Sequence, residues 1–225
     1  MIAWIKHLPI ATVFIIILNI VIFGVGLLSG SQTQIVRNYG FIPDQLFNND
    51  VNDITINRLQ HNPLSSSLQP QQSSLSDSLT RLFTSMFIHA NIAHIVFNIL
   101  ALVYLGGFAE RSIGIPRYIT VYIISGIVAA LFHGIIASYI LHNGSLVLVG
   151  ASGAISGVLG IAAAAGNSRA YYWFVLQIIF AVIGSIAEIP IAFTAHIGGF
   201  IAAVTLTKVF IILEHKSRTK YNFID

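Results

Sequence analysis

The residues best suited to chemistry lie in three short stretches. One is G-A-S-G-A-I-S-G at 150–157, where Ser152 follows Gly150 by two and is followed at once by Gly153. Flanking glycines permit a tight backbone and leave the serine hydroxyl uncrowded. A serine at a helix N-terminus also has free backbone N–H groups and the positive end of the helix dipole beside it, a setting that suits a developing oxyanion. The hydroxyl itself is a poor nucleophile until a base takes its proton. The second stretch, F-T-A-H-I-G-G-F, offers His196, and histidine is the side chain that titrates nearest neutrality. No acidic residue falls at a matching depth, so the pattern describes a Ser–His dyad with no third, acidic member. The third stretch, H-A-N-I-A-H-I-V-F-N, holds His89, Asn91, His94 and Asn98. His94 and Asn98 are one turn apart on one helix face, whereas His89 belongs at the turn that enters the helix and holds the loop there.

Each feature also has a plainer reading. A serine in a small-residue helix packs against a neighbouring helix, and polar side chains in lipid hydrogen-bond between helices. A zinc peptidase would need two histidines four apart with an intervening glutamate. Here the spacing is five and no acid intervenes, so no metal is expected, and nothing in the sequence calls for a cofactor. His133 reads as an interhelical hydrogen-bonding residue and His142 as a loop residue.

The elements that must position these groups are apolar. The 225 residues are 56% hydrophobic and only 8% charged, against roughly 25% charged in soluble domains. Most of the surface must therefore face lipid. Six apolar segments approach bilayer-spanning length, at 8–28, 84–109, 117–141, 147–166, 171–188 and 191–213. The first is too long for a secretory signal core and reads as a retained transmembrane helix. In the sixth, Gly199 and Ala203 form a small-residue face, which on packing against the glycine-rich fourth segment brings His196 toward Ser152. There are no cysteines, which excludes disulfides and thiolate chemistry. A net charge of +3 without a basic stripe gives no basis for nucleic-acid binding.

The connections divide the chain into 1–28 (N-terminal segment and first transmembrane helix), a long loop at 29–80, a core at 81–213 and a basic tail at 214–225. Residues 57–78 of the loop are Ser/Gln-rich and read as solvated and partly disordered. The stretch Y-G-F-I-P-D-Q-L-F before them has enough apolar residues to dip into the membrane surface. With both termini cytoplasmic, Lys6, Arg111, Arg117, Arg169, Lys208, Lys216, Arg218 and Lys220 lie inside and Arg37, Arg58 and Arg81 outside. That eight-to-three balance favours cytoplasmic termini and puts the long loop and the start of the fourth helix outward.

In this order, the patterns H-x-x-x-x-H-x-x-x-N (His89, His94, Asn98), G-x-S-G (Gly150, Ser152, Gly153) and A-H-x-x-G (Ala195, His196, Gly199) resemble the rhomboid family. Arg81 matches the arginine of that family's W-R pair, and Y-L-G-G-F-A-E-R-S-I-G at 104–114 resembles its pattern at the end of the second helix. The resemblance covers about residues 80–205. It implies an all-α, six-transmembrane-helix bundle with 81–213 as catalytic core, and a multi-pass protein of a prokaryotic cytoplasmic membrane. It implies a serine endopeptidase with Ser152 as nucleophile, His196 as base, and His94, Asn98 and the Ser152 N–H around the oxyanion. His89, Gly150, Gly153 and Gly199 would support that site. The partners implied are transmembrane-helix substrates and the lipid bilayer, and no oligomeric state follows. Three departures stand out: Thr80 in place of the tryptophan, Ser156 where many members carry an aromatic that stacks on the histidine, and the Ser/Gln-rich insertion. The alternative is a catalytically silent relative that binds transmembrane helices without cutting them. A transporter is disfavoured because mid-span Asp, Glu, Lys and Arg are missing.

Overall fold

The structure is a computed structural model that describes residues 9–47, 74–186 and 192–221. It is built from helices: α1 (Ile10–Leu28), α2 (Gln32–Tyr39), α3 (Pro43–Phe47), α4 (Leu75–Thr84), α5 (Ile92–Ile113), α6 (Ile115–Tyr139), α7 (Ser152–Ala164), α8 (Arg169–Ile186) and α9 (Phe193–Tyr221). A 3-10 turn, Ser85–Phe87, leads into α5. Among the described residues four helices are long and apolar enough to cross a membrane: α1, α5, α6 and the Phe193–Lys216 part of α9.

Several boundaries differ from those expected from the sequence. The second apolar segment does not begin a span at residue 84. Asn91 is the N-cap of α5, its side chain accepting from the His94 amide at 2.9 Å, and His89 lies in the link before it. An asparagine that satisfies an orphan N–H fixes a helix start more sharply than apolarity does. The fourth segment narrows to the 13 residues of α7. At 1.5 Å per residue these extend about 20 Å, short of a hydrocarbon core of about 30 Å. The first connection is not a single open loop, since α2, α3 and α4 lie within it. Most of the Ser/Gln-rich stretch lies outside the described residues, but its last residues are helical. There Ser74 and Asp77 form a reciprocal capping box, each side chain bonded to the other's backbone N–H. The Ser74 hydroxyl, donating to the Asp77 carboxyl at 2.9 Å, and then the Ser74 amide hold that carboxyl below the usual carboxylate range.

Part of the apolar stretch at 39–47 packs onto the bundle. Phe41 is fully buried with Leu82 and Ala130, and Pro43 is buried beside it. Phe41 pairs antiparallel with Leu148, with N–H to carbonyl distances of 3.0 and 2.7 Å. From α4, Arg81 Nη1 donates to the Arg37 carbonyl at 3.1 Å and Thr84 Oγ1 donates to the Tyr39 carbonyl at 2.8 Å.

At the centre stands α7, buried from Gly153 to Ala163 and touched by α5, α6, α8 and α9. Glycine makes this possible. A Cβ on Gly199 would strike the Gly153 carbonyl, and one on Gly160 would lie 2.7 Å from the Phe200 carbonyl, so α7 and α9 meet backbone to backbone. This is the contact that the small-residue spacing of Gly199 and Ala203 predicts. Around it pack Leu102, Tyr118, Tyr122, Val158, Ile161 and Ala203.

The far end of the bundle is tied by Glu110, only 4% exposed at the end of α5. Its carboxyl accepts from the Ala11 amide (3.2 Å), the Thr12 amide (2.8 Å) and Thr12 Oγ1 (2.8 Å). The start of α1 has no side-chain cap of its own at Pro9, so Glu110 caps it from a neighbouring helix. Glu110→Ala leaves these buried donors unpaired and is expected to destabilise the fold by roughly 1–3 kcal/mol. Glu110→Gln, which retains an acceptor, costs less. Unfolding of the two variants in detergent beside the parent checks the order.

Candidate active site

Ser152 is the first helical residue of α7 and half-buried, in a helix whose next residues are all buried. The first amides of a helix have no intrahelical acceptor, so the Ser152 N–H is unused by the helix ladder. The segment that delivers it is fixed on both sides. Leu148 is paired to Phe41, and the Gly150 amide donates to the Ser85 carbonyl at 2.9 Å. Gly150 has φ +118°, a backbone conformation open essentially to glycine alone. A Cβ there would also press on Nε2 and Cε1 of His94. The His94 ring therefore lies directly against the turn that leads into Ser152.

His94 is half-buried on the first turn of α5, and its ring meets that of the fully buried His89 edge to face at 5.1 Å between centroids. The backbone at His89 is held in turn: its carbonyl accepts from Gln32 Nε2 at 2.5 Å. Asn98, buried one turn further on, donates from Nδ2 to the His94 carbonyl at 2.8 Å, which leaves its second amide hydrogen for another acceptor.

His196 lies on the first turn of α9 and is half-buried. Gly199, one turn on, is the residue in contact with the Gly153 backbone. The α7–α9 seam thus runs one residue beyond Ser152 and three beyond His196. The ring's Nδ1 lies 2.8 Å from Oε1 of Gln177 on α8, and its face meets the Phe193 ring edge-on at 5.8 Å. Among the described residues no hydrogen bond joins His196 to Ser152 Oγ. Ser156, one turn after Ser152, is buried and too small to brace the imidazole. His133 Nδ1 pairs with Thr194 Oγ1 at 2.6 Å, the interhelical bond its mid-helix position predicts. Among the described residues no three His, Asp or Glu side chains converge as a metal site.

The structure thus gathers the starts of α5, α7 and α9 at one end of the bundle, with His94 against Gly150 and His89 behind it. Two polar residues that the sequence reading passed over also matter. Glu110 reads as a span-end residue in sequence. Gln177 is a lone polar side chain inside the apolar run Y-Y-W-F-V-L-Q-I-I-F, and the cost of a polar group in lipid was the signal that marked it.

Gly150→Ala would force a Cβ into both a strained backbone and the His94 ring. A loss of roughly 1–3 kcal/mol of stability is expected. Thermal unfolding of the variant beside the parent checks it.

The model of the Rhomboid domain matches residues 76–212. The chain is 32% identical over 176 residues to Rhomboid protease AarA of Providencia stuartii, covering 65% of this chain and 61% of that protein. It is 34% identical over 140 residues to RHOMBOID-like protein 1 of Arabidopsis thaliana, covering 59% and 34%. It is 37% identical over 81 residues to the Putative rhomboid protease YdcA of Bacillus subtilis (strain 168), covering 36% and 38%. The chain thus spans less than two thirds of each of these relatives.

Proposed function

The chain belongs to the rhomboid family, and from that premise we propose that it is an intramembrane serine endopeptidase that cuts peptide bonds in or near transmembrane helices. In this reading α7 and α8 complete a six-helix bundle with α1, α5, α6 and α9. The core is residues 81–213, and both termini face the cytoplasm of a prokaryotic cell. The observation that supports it best is the seating of Ser152. It stands at the start of a short buried helix, two residues after the glycine that the His94 ring lies against and one before the contact with the helix that carries His196.

The chemistry follows from those groups. Ser152 Oγ attacks the scissile carbonyl as His196 accepts its proton. The new C–O bond places negative charge on the former carbonyl oxygen. The Ser152 N–H, the His94 ring and the free Asn98 amide hydrogen are the donors proposed for that charge, each worth about 2.7–4 kcal/mol where such donors have been removed from other enzymes. His196 then returns the proton to the leaving amine, and a water molecule, deprotonated by the same ring, frees the acyl group from Ser152. The shortness of α7 favours this chemistry, because a helix of about 20 Å need not fill the bilayer and leaves depth for water above its start.

A second reading, a silent rhomboid-like protein that binds transmembrane helices, draws on His196 being bonded to Gln177 and unbraced at Ser156. Catalytic hydrogen bonds are often long without substrate and tighten on binding, which leaves hydrolysis the better reading.

The test is cleavage of a transmembrane model substrate by protein reconstituted in liposomes. Parent protein should cleave, with Ser152→Ala and His196→Ala each lowering kcat by roughly 10³-fold or more. Folded parent protein that binds the substrate and leaves it whole would establish the silent reading instead.

A further inference from the structure

We propose that Gln177 is the positioning residue for His196, an amide that takes the place an acid holds in a triad. The proposal rests on the hydrolytic reading above. It goes beyond it by assigning a role to a residue on α8, a helix that supplies none of the groups proposed for the reaction.

Gln177 Oε1 lies 2.8 Å from His196 Nδ1, across two helices and 19 residues of sequence. A carboxamide oxygen only accepts, so Nδ1 is the nitrogen that carries hydrogen. In the neutral ring the lone pair then sits on Nε2, the nitrogen free to accept a proton from a serine. The second nitrogen of a working histidine is set by the hydrogen bond the first one makes.

The surroundings leave Gln177 alone in this role among the described residues. His133 is engaged with Thr194. Among the described residues no carboxyl group is hydrogen-bonded to His196. Ser156 gives no ring to stack on, and Phe193 touches the imidazole only edge to face, which steadies its plane but selects no tautomer. The contact explains the placement of Gln177 as well. It is partly buried in α8 among residues that face outward, with Trp173, Val175, Ile178 and Ile179 all exposed. A polar side chain in that belt is costly unless it has a partner.

The amide also fits a membrane site chemically. It holds the Nδ1–H bond in both the neutral and the protonated ring, because the oxygen accepts in either state. It does so without a buried negative charge, whose desolvation in an apolar surrounding would be severe.

Two measurements on the full chain test this. Nitrogen-15 spectra of ring-labelled protein, with the His196→Ala difference assigning the signal, report which nitrogen carries hydrogen. The expected result is protonated Nδ1 and bare Nε2 in the parent, and a mixture in Gln177→Leu. In the cleavage assay, Gln177→Leu should lower kcat by roughly tenfold to a hundredfold with KM changed by less than about twofold, whereas Gln177→Glu, which keeps an acceptor at that reach at a cost in stability, should keep hydrogen on Nδ1. A parent ring with hydrogen on Nε2, or a Gln177→Leu protein with parental kcat and tautomer, overturns the proposal. Should Gln177→Leu fail to fold, Gln177→Met removes the acceptor with a more flexible side chain, and the parent spectrum decides alone. Should the parent cleave nothing, the hydrolytic reading falls, while the spectra still decide whether Gln177 sets the tautomer.

Discussion

The direct backbone contact between α7 and α9 is the constraint on which the rest of this structure depends. Lipid offers no hydrophobic drive to bring two apolar helices together, so close van der Waals packing must do it. That requires an absent side chain on both surfaces, and Gly160 on α7 and Gly199 on α9 supply it. The same closeness sets the chemistry. Ser152 and His196 both stand at helix starts beside this seam, so any side chain that pushed the helices apart would separate them. The small residues of α7 are therefore the condition for a site there, and the central, buried position of a helix only 13 residues long follows from them.

The remaining elements hold that seam in register from outside. At one end, Glu110 caps the start of α1 and binds the first helix to α5 and, through Thr12, to Tyr118, whose oxygen is 3.2 Å from Thr12 Oγ1. The Arg117–Glu214 pair at 2.6 Å joins α6 to α9 at the same end, but it is about 40% exposed and contributes little. At the site's end the work falls to backbone. The Phe41–Leu148 pairing and the Gly150–Ser85 bond fix the turn before Ser152, and α4 is latched to α2 by Arg81 and Thr84. Polar contacts thus cluster at the two ends, and the middle of the bundle is left to packing.

Sequence alone carried much of this. The periodic placement of His94 and Asn98, the glycines around Ser152 and the four-residue step from Gly199 to Ala203 each follow from helix geometry, and the α7–α9 seam was legible in them. What was hidden has physical reasons. Hydrophobic residues recur from residue 84 on, and although His89 already reads as an entry turn, the capping bond of Asn91 is what fixes the start of α5 at Ile92. Phe41 looks like a membrane-surface residue until Leu148, more than a hundred positions away, is seen to pair with it. Glu110 and Gln177 make contacts across 98 and 19 residues, which no local pattern encodes. For Gln177 a hint was available in its isolation within an apolar run, yet its partner was not.

The proposed role of Ser152, a nucleophile activated by its neighbours, is tested by mass mapping of the folded protein after reaction with a fluorophosphonate, which bonds to an activated serine oxygen with loss of fluoride. An adduct is expected on the peptide that contains Ser152, absent when His196 is replaced by alanine. A folded protein with Ser152 unmodified, or with equal labelling of both proteins, would contradict it.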